Sequence, residues 1–233
     1  MKKVYSFLAL TMILVFISSG FAFSTNKNDI PEPIIKAANE GLVFVSKELS
    51  ANPTLYGLDS SVDVKSIKLG EGFNLYYPKK DKINKTDTDS LIDVSDKSNF
   101  WLFTVKANGK PAIFLTVGYD YDNGEYDVAE FGGNSQVFEE TLANFKNVTN
   151  NEKPKVVKIR SDYYLVNKTE LGESTLPSIS EERSKQFNNK KLVNSKDIIN
   201  ELKDYIKQSK DGGRGTSTQV PKQTKNNIPI LEA

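Results

Sequence analysis

Apolar and polar positions change period several times along the chain. In "DIPEPIIKAANEGLVFVSKELSANP", Ile34, Ala38, Leu42, Val45 and Leu49 recur at helical spacing, which predicts an amphipathic helix over about 33–50. Pro31 and Pro33 fit its entrance, and Asn52-Pro53 its end. Gly41 in its middle costs about 1 kcal/mol against alanine. Two explanations stand for it, close packing on a sheet or simple tolerance. "SVDVKSIKLGEGFNLYYP" then alternates at period two. It reads as two short strands with a turn or bulge at Gly70 to Gly72. Residues 78–98 are polar, with a short helix expected near "TDSLIDV".

The strongest pattern is "NFWLFTVKANGKPAIFLTVGYDYDNGEYDVAEFGG". Asn108-Gly109 and Asn123-Gly124 each separate β-rich runs. Asn-Gly suits a type I′ turn, which needs positive φ at both central residues. A three-stranded meander over about 99–107, 110–121 and 125–131 is predicted, with Pro111 at an edge or beside the turn. "NSQVFEETLANFKN" follows as a helix with Ser135 as N-cap and Val137, Phe138, Leu142 and Phe145 on its apolar face. "PKVVKIRSDYYLVN" is β-rich again, as two strands or one long bent one. "SEERSKQF" reads as a short helix. "NSKDIINELKDYIKQSKDGG" reads as a better one, capped by Ser195 and stopped at Gly212.

This order lacks a regular βαβ alternation, so the expected class is α+β: an antiparallel sheet with helices packed on one face, plus a helical C-terminal extension. The expected boundaries are 1–24 signal peptide, 25–31 linker, 32–170 α+β domain, 171–211 helical extension and 212–233 disordered tail.

"FWLFTVKANGKPAIFLTV", followed by a hairpin, "FGG" and a capped helix, resembles a pattern in secreted proteins of Gram-positive bacteria. Their layout is similar to cystatin-like or PepSY-like small α+β domains, some of which act as propeptides or protease-directed modules. The resemblance covers about 100–168, with the leading helix by analogy, and it carries over no functional residue.

Composition sets the address. Lys2 and Lys3 precede an uncharged, mostly apolar run, and "AFS" at 22–24 fits a small-x-small cleavage site. A signal peptide cut after Ser24 is expected, leaving about 209 residues, enough to bury a core. The uncharged run is also long enough for an uncleaved anchor, since a span needs about 20 residues. Both readings place the remainder outside the cytoplasm, secreted or on the extracellular face of the envelope. Lysine outnumbers arginine 28 to 3, a bias of AT-rich bacterial genomes. Without the two leader lysines, 29 basic residues face 30 acidic ones. That balance gives no electrostatic case for nucleic acid or an anionic membrane.

The chain has no His and no Cys. A Ser-His-Asp triad, a His or thiolate metal site and a thiol nucleophile are therefore impossible. No glycine pair precedes Lys-Ser/Thr, so there is no P-loop. The one stretch that looks like chemistry is "GYDYDNGEYD", with Asp120, Asp122, Glu125 and Asp127 around Asn123-Gly124. Read as an EF-hand from Asp120, its glycine falls one position early, and Phe131 stands where a bidentate Glu is needed. Read as a catalytic pair, Asp122 and Glu125 lack the pocket that would separate their pKa values. A hairpin is the simplest reading. Trp101 reads as a core residue of a strand buried on both faces, with an exposed aromatic face as the alternative.

No catalytic, cofactor-binding or metal-ligating residue is assigned, and no cofactor is expected. The sequence points to an exported, non-enzymatic module that binds an extracellular or envelope protein. An extracellular hydrolase using carboxylates is the alternative. Membrane contact follows only if the leader stays uncleaved.

Overall fold

The computed structural model describes residues 30–58, 63–85, 87–150, 153–178 and 191–211. The leader, the linker up to residue 29, the segment "SEERSKQF" and the tail from residue 212 lie outside them.

The fold is α+β, built on a seven-stranded, mostly antiparallel sheet. Its strands are β1 (Lys68–Pro78), β2 (Ser95–Ala107), β3 (Lys110–Asp120), β4 (Glu125–Gly132), β5 (Lys155–Ile159), β6 (Asp162–Thr169) and β7 (Gly172–Ser178). Their order is β4-β3-β2-β1-β5-β6-β7. Among the described residues only β1 and β5 pair in parallel. The helices are α1 (Glu32–Ala51), α2 (Lys80–Lys85), α3 (Gln136–Val148) and α4 (Ser195–Asp211).

Helices cover both faces of the sheet, not the single face expected. Along β2, Trp101, Phe103 and Val105 pack with Ile34, Leu42 and Leu49 of α1. The alternate residues Phe100 and Leu102 pack with Phe138, Leu142 and Phe145 of α3. On the α1 side, α4 covers the other half through Ile198, Ile199, Leu202 and Ile206 against Val157, Ile159, Tyr164 and Val166. The cause lies in the central strands. β2, β5 and β6 are apolar at both parities, so two faces need cover. Trp101 is buried in the α1 core.

Several local features depart from the pattern reading. Lys68 to Pro78 is one strand, and the glycines at 70 and 72 mark a register irregularity within it. The short helix falls at Lys80–Lys85 instead of near "TDSLIDV". That segment is a turn held by Glu173, whose carboxylate accepts from the Ser90 hydroxyl (2.7 Å) and the Leu91 and Ile92 amides (2.7 and 3.2 Å). Residues 172–178, expected at the start of a helical extension, form β7.

Both Asn-Ser pairs cap their helices through the Asn, not the Ser. Asn134 Oδ1 accepts the Gln136 amide (2.7 Å) and Asn194 Oδ1 the Lys196 amide (3.0 Å). Ser135 is buried and makes no cap bond. Ser195 shares a hydrogen bond with Thr175 (2.7 Å).

The sheet curls strongly around α3. Three strands separate β3 from β6, which in a flat sheet is about 19 Å. The rings of Phe114 on β3 and Tyr163 on β6 nevertheless lie 5.2 Å apart. This curl makes the α3 side concave.

Candidate binding cleft on the concave face

A cleft of about 610 Å³ lies where the concave face is not filled by α3. That volume falls in the range of small-ligand sites, about 300–1,000 Å³. Its floor is aromatic. Phe138 stacks edge-on against Phe114 and Tyr163, both at 5.6 Å. Its rim is polar, with Glu130 and Thr116 on one wall and Lys158, Arg160 and Ser161 on the other.

Two irregularities build this rim. In β4, Val117 pairs with Val128 but Thr116 pairs with Glu130, so Ala129 is an extra residue. Strict alternation would send Glu130 to the α1 side with Tyr126 and Val128. The bulge turns it into the cleft, as bulges beside sites often re-aim a side chain. Across the cleft, Ile159 pairs with Asp162 around a two-residue turn, and Arg160 takes φ +57°. A non-glycine residue in the left-handed region is uncommon, and such residues cluster at functional sites. The Arg160 guanidinium stacks on Tyr205 of α4 at 3.8 Å.

The Glu130 carboxylate lies 3.8 Å from the Lys158 amine. Lys158 also sits over the Tyr163 ring, 5.6 Å from its centroid. An ion pair this long and half-exposed is worth about 0–1 kcal/mol, so both groups retain capacity for a ligand. Burial pushes the phenols of Tyr77 and Tyr163 well above the ordinary range, and the Glu130 charge raises both further. A raised folded pKa means the unfolded chain loses these protons first. The stability they contribute is full below about pH 10 and declines as pH rises through the folded values. Urea midpoints from pH 8 to 12 are expected to fall less steeply in Tyr77→Phe with Tyr163→Phe than in the wild type.

The acidic stretch at 118–127 lies outside this cleft's lining. Asp120 pairs with Glu125, so the loop is Tyr121 to Gly124, four residues instead of two. Only Gly124 has positive φ there (74°), whereas Asn108 and Gly109 both do (51° and 77°). The type I′ turn therefore forms at 108–109 and not at 123–124. The Asp120 carboxylate accounts for the difference. It accepts from the Asp122 amide (2.9 Å) and the Asn123 side chain (2.6 Å), closing a wider loop. Asp127 accepts the Val128 amide (2.7 Å), while Asp122 and Glu125 are exposed.

Among the described residues no cluster of three or more acidic side chains is arranged to hold a metal. Asp122→Asn with Glu125→Gln is expected to change stability by less than about 0.5 kcal/mol. Gly124→Ala is expected to cost about 1–2 kcal/mol, the strain of a left-handed residue. Thermal unfolding with calcium and with chelator checks both, and no calcium-dependent rise is expected.

The pattern reading missed Glu130, Lys158 and Arg160. No local signal marks them, because "VAEFG" reads as plain alternation and "KIRSDYY" as strand. No family model, no curated protein and no solved structure matches the chain. Among the described residues no helix is long and apolar enough to cross a membrane.

Proposed function

We propose that the chain is an exported, non-enzymatic binding module that engages an extracellular or envelope protein through the concave cleft. The leader pattern supports export. The carrying observation is the bulge that turns Glu130 away from α1 and toward Lys158, over an aromatic floor. A few convergent polar groups above an apolar floor is the usual form of a binding site. In this reading the hairpin-linked strands over about 99–131 form one wall, and the C-terminal helix docks as an extension. The likeness to cystatin-like and PepSY-like domains, with a protease as partner, belongs to the same proposal.

The test is affinity capture from culture medium and envelope fractions with wild type and Glu130→Lys. One reproducible partner held by wild type and lost by the variant, at matched melting temperature, is the expected result. Equal capture by both would remove the cleft from the reading. Turnover in a screen of peptides, esters and glycosides, abolished by Asp122→Asn with Glu125→Gln, would establish a hydrolase instead.

A further inference from the structure

We propose that the edge of β4 accepts an extended polypeptide strand from a partner, one that alternates apolar and basic side chains. The two edges of the sheet are treated differently. At β7, Val193 bridges Thr175 and donates its amide to the Thr175 carbonyl (2.9 Å). At β4, no strand among the described residues pairs with the outer edge. Such an edge is a ready template for strand addition, in which main-chain hydrogen bonds supply affinity and alternate side chains supply specificity.

The two faces beside β4 differ in chemistry. On the α1 side, Phe131 is flanked by Phe44 (5.6 Å) and Tyr56 (6.3 Å). Phe44 is 47% exposed, and Leu55, the chain neighbour of Tyr56, is 72% exposed. On the concave side, the register sets Glu125 and Asp127 opposite Asp120 and Gly118. Side chains of an added strand alternate between the faces. One set meets aromatic and aliphatic surface, and the other meets a row of carboxylates.

The Val128 amide shows how the edge is kept. Its N–H is taken by the Asp127 carboxylate (2.7 Å). An incoming carbonyl replaces that carboxylate and leaves Asp127 to meet a lysine or arginine. Bulges and charges on an edge ordinarily serve to deter pairing. Here they deter selectively. An acidic strand, or a second copy adding its own β4, brings carboxylates opposite carboxylates, which is destabilising. A basic strand has the opposite sign. The inference rests on the binding-module reading for a polypeptide partner, but it concerns a different surface from the cleft.

The test uses the full exported chain and three capped hexapeptides: KVKFKV, its acidic counterpart EVEFEV, and KVKFKV N-methylated at alternate backbone positions. Amide hydrogen exchange and NMR shifts are read at Tyr126 and Val128. The lysine peptide is expected to slow Val128 exchange by about tenfold or more, and the other two to leave it unchanged. In Glu125→Lys with Asp127→Lys the preference is expected to pass to EVEFEV. Equal binding of the N-methylated peptide would overturn strand addition, and equal binding of EVEFEV would overturn the charge rule. Shifts confined to Glu130, Lys158 and Tyr163 would also overturn it while leaving the cleft reading intact. Protection at β4 with no partner lost in the Glu130→Lys capture would support strand addition and sink the cleft reading alone.

Discussion

Phe138→Ala is expected to lower the free energy of unfolding by about 3–5 kcal/mol, the range for truncating a buried phenylalanine. Phe138 is 1% exposed. Its ring sits edge-on against Phe73 (5.7 Å), Phe114 (5.6 Å) and Tyr163 (5.6 Å). Those partners come from β1, β3 and β6, so one side chain from α3 joins three walls of the curled sheet. Each such aromatic pair adds about 0.5–1.5 kcal/mol beyond burial. Collapse into the void is resisted, because the walls belong to a continuous hydrogen-bonded sheet. Urea unfolding should show a lower midpoint at unchanged slope. Phe138→Leu, which keeps most of the volume, should lose much less. A loss under about 1 kcal/mol for the alanine variant would mean that α3 is not seated between those walls.

Gly41→Val is expected to cost about 2–3 kcal/mol through overpacking. Gly41 lies where α1 crosses β4. A Cβ placed there would stand 2.1 Å from a Val128 methyl, far inside contact distance. Of the two explanations for this glycine, close packing holds. Gly41→Ala pits a gain of about 1 kcal/mol in helix propensity against the same clash, and the clash is expected to win. Val128→Ala in the same chain should relieve it, so the double variant should be more stable than the sum of the single losses. Additive losses would show that α1 sits farther from β4 than the structure places it.

The signals that read correctly were local ones. Ile34, Leu42, Val45 and Leu49 mark α1 because a helix repeats every 3.6 residues. They are buried on α1 for that reason. Asn108-Gly109 forms its tight turn because both residues tolerate positive φ without help from elsewhere. At Asn123-Gly124 the same dipeptide fails, since a carboxylate three residues upstream offers the loop a better set of bonds. The Asn-Ser pairs read as helix starts, but burial took the serines and left the capping to the asparagines.

The amino-acid pattern by itself determined the α+β class, the main helices and strands, and the exclusion of His and Cys chemistry. These follow from periodicity and residue types, which act over a few positions. Tertiary structure alone decided that helices cover both faces, that Gly172 to Ser178 joins the sheet, and that a cleft exists. It also decided which residues line that cleft. Glu130 reaches it through one inserted residue in β4, and Lys158 and Arg160 come from β5 and the turn after it, four strands away in the order of the sheet. Nothing nearby in the chain encodes that meeting. It depends on the curl of the sheet around α3, a property of packing that no local period carries.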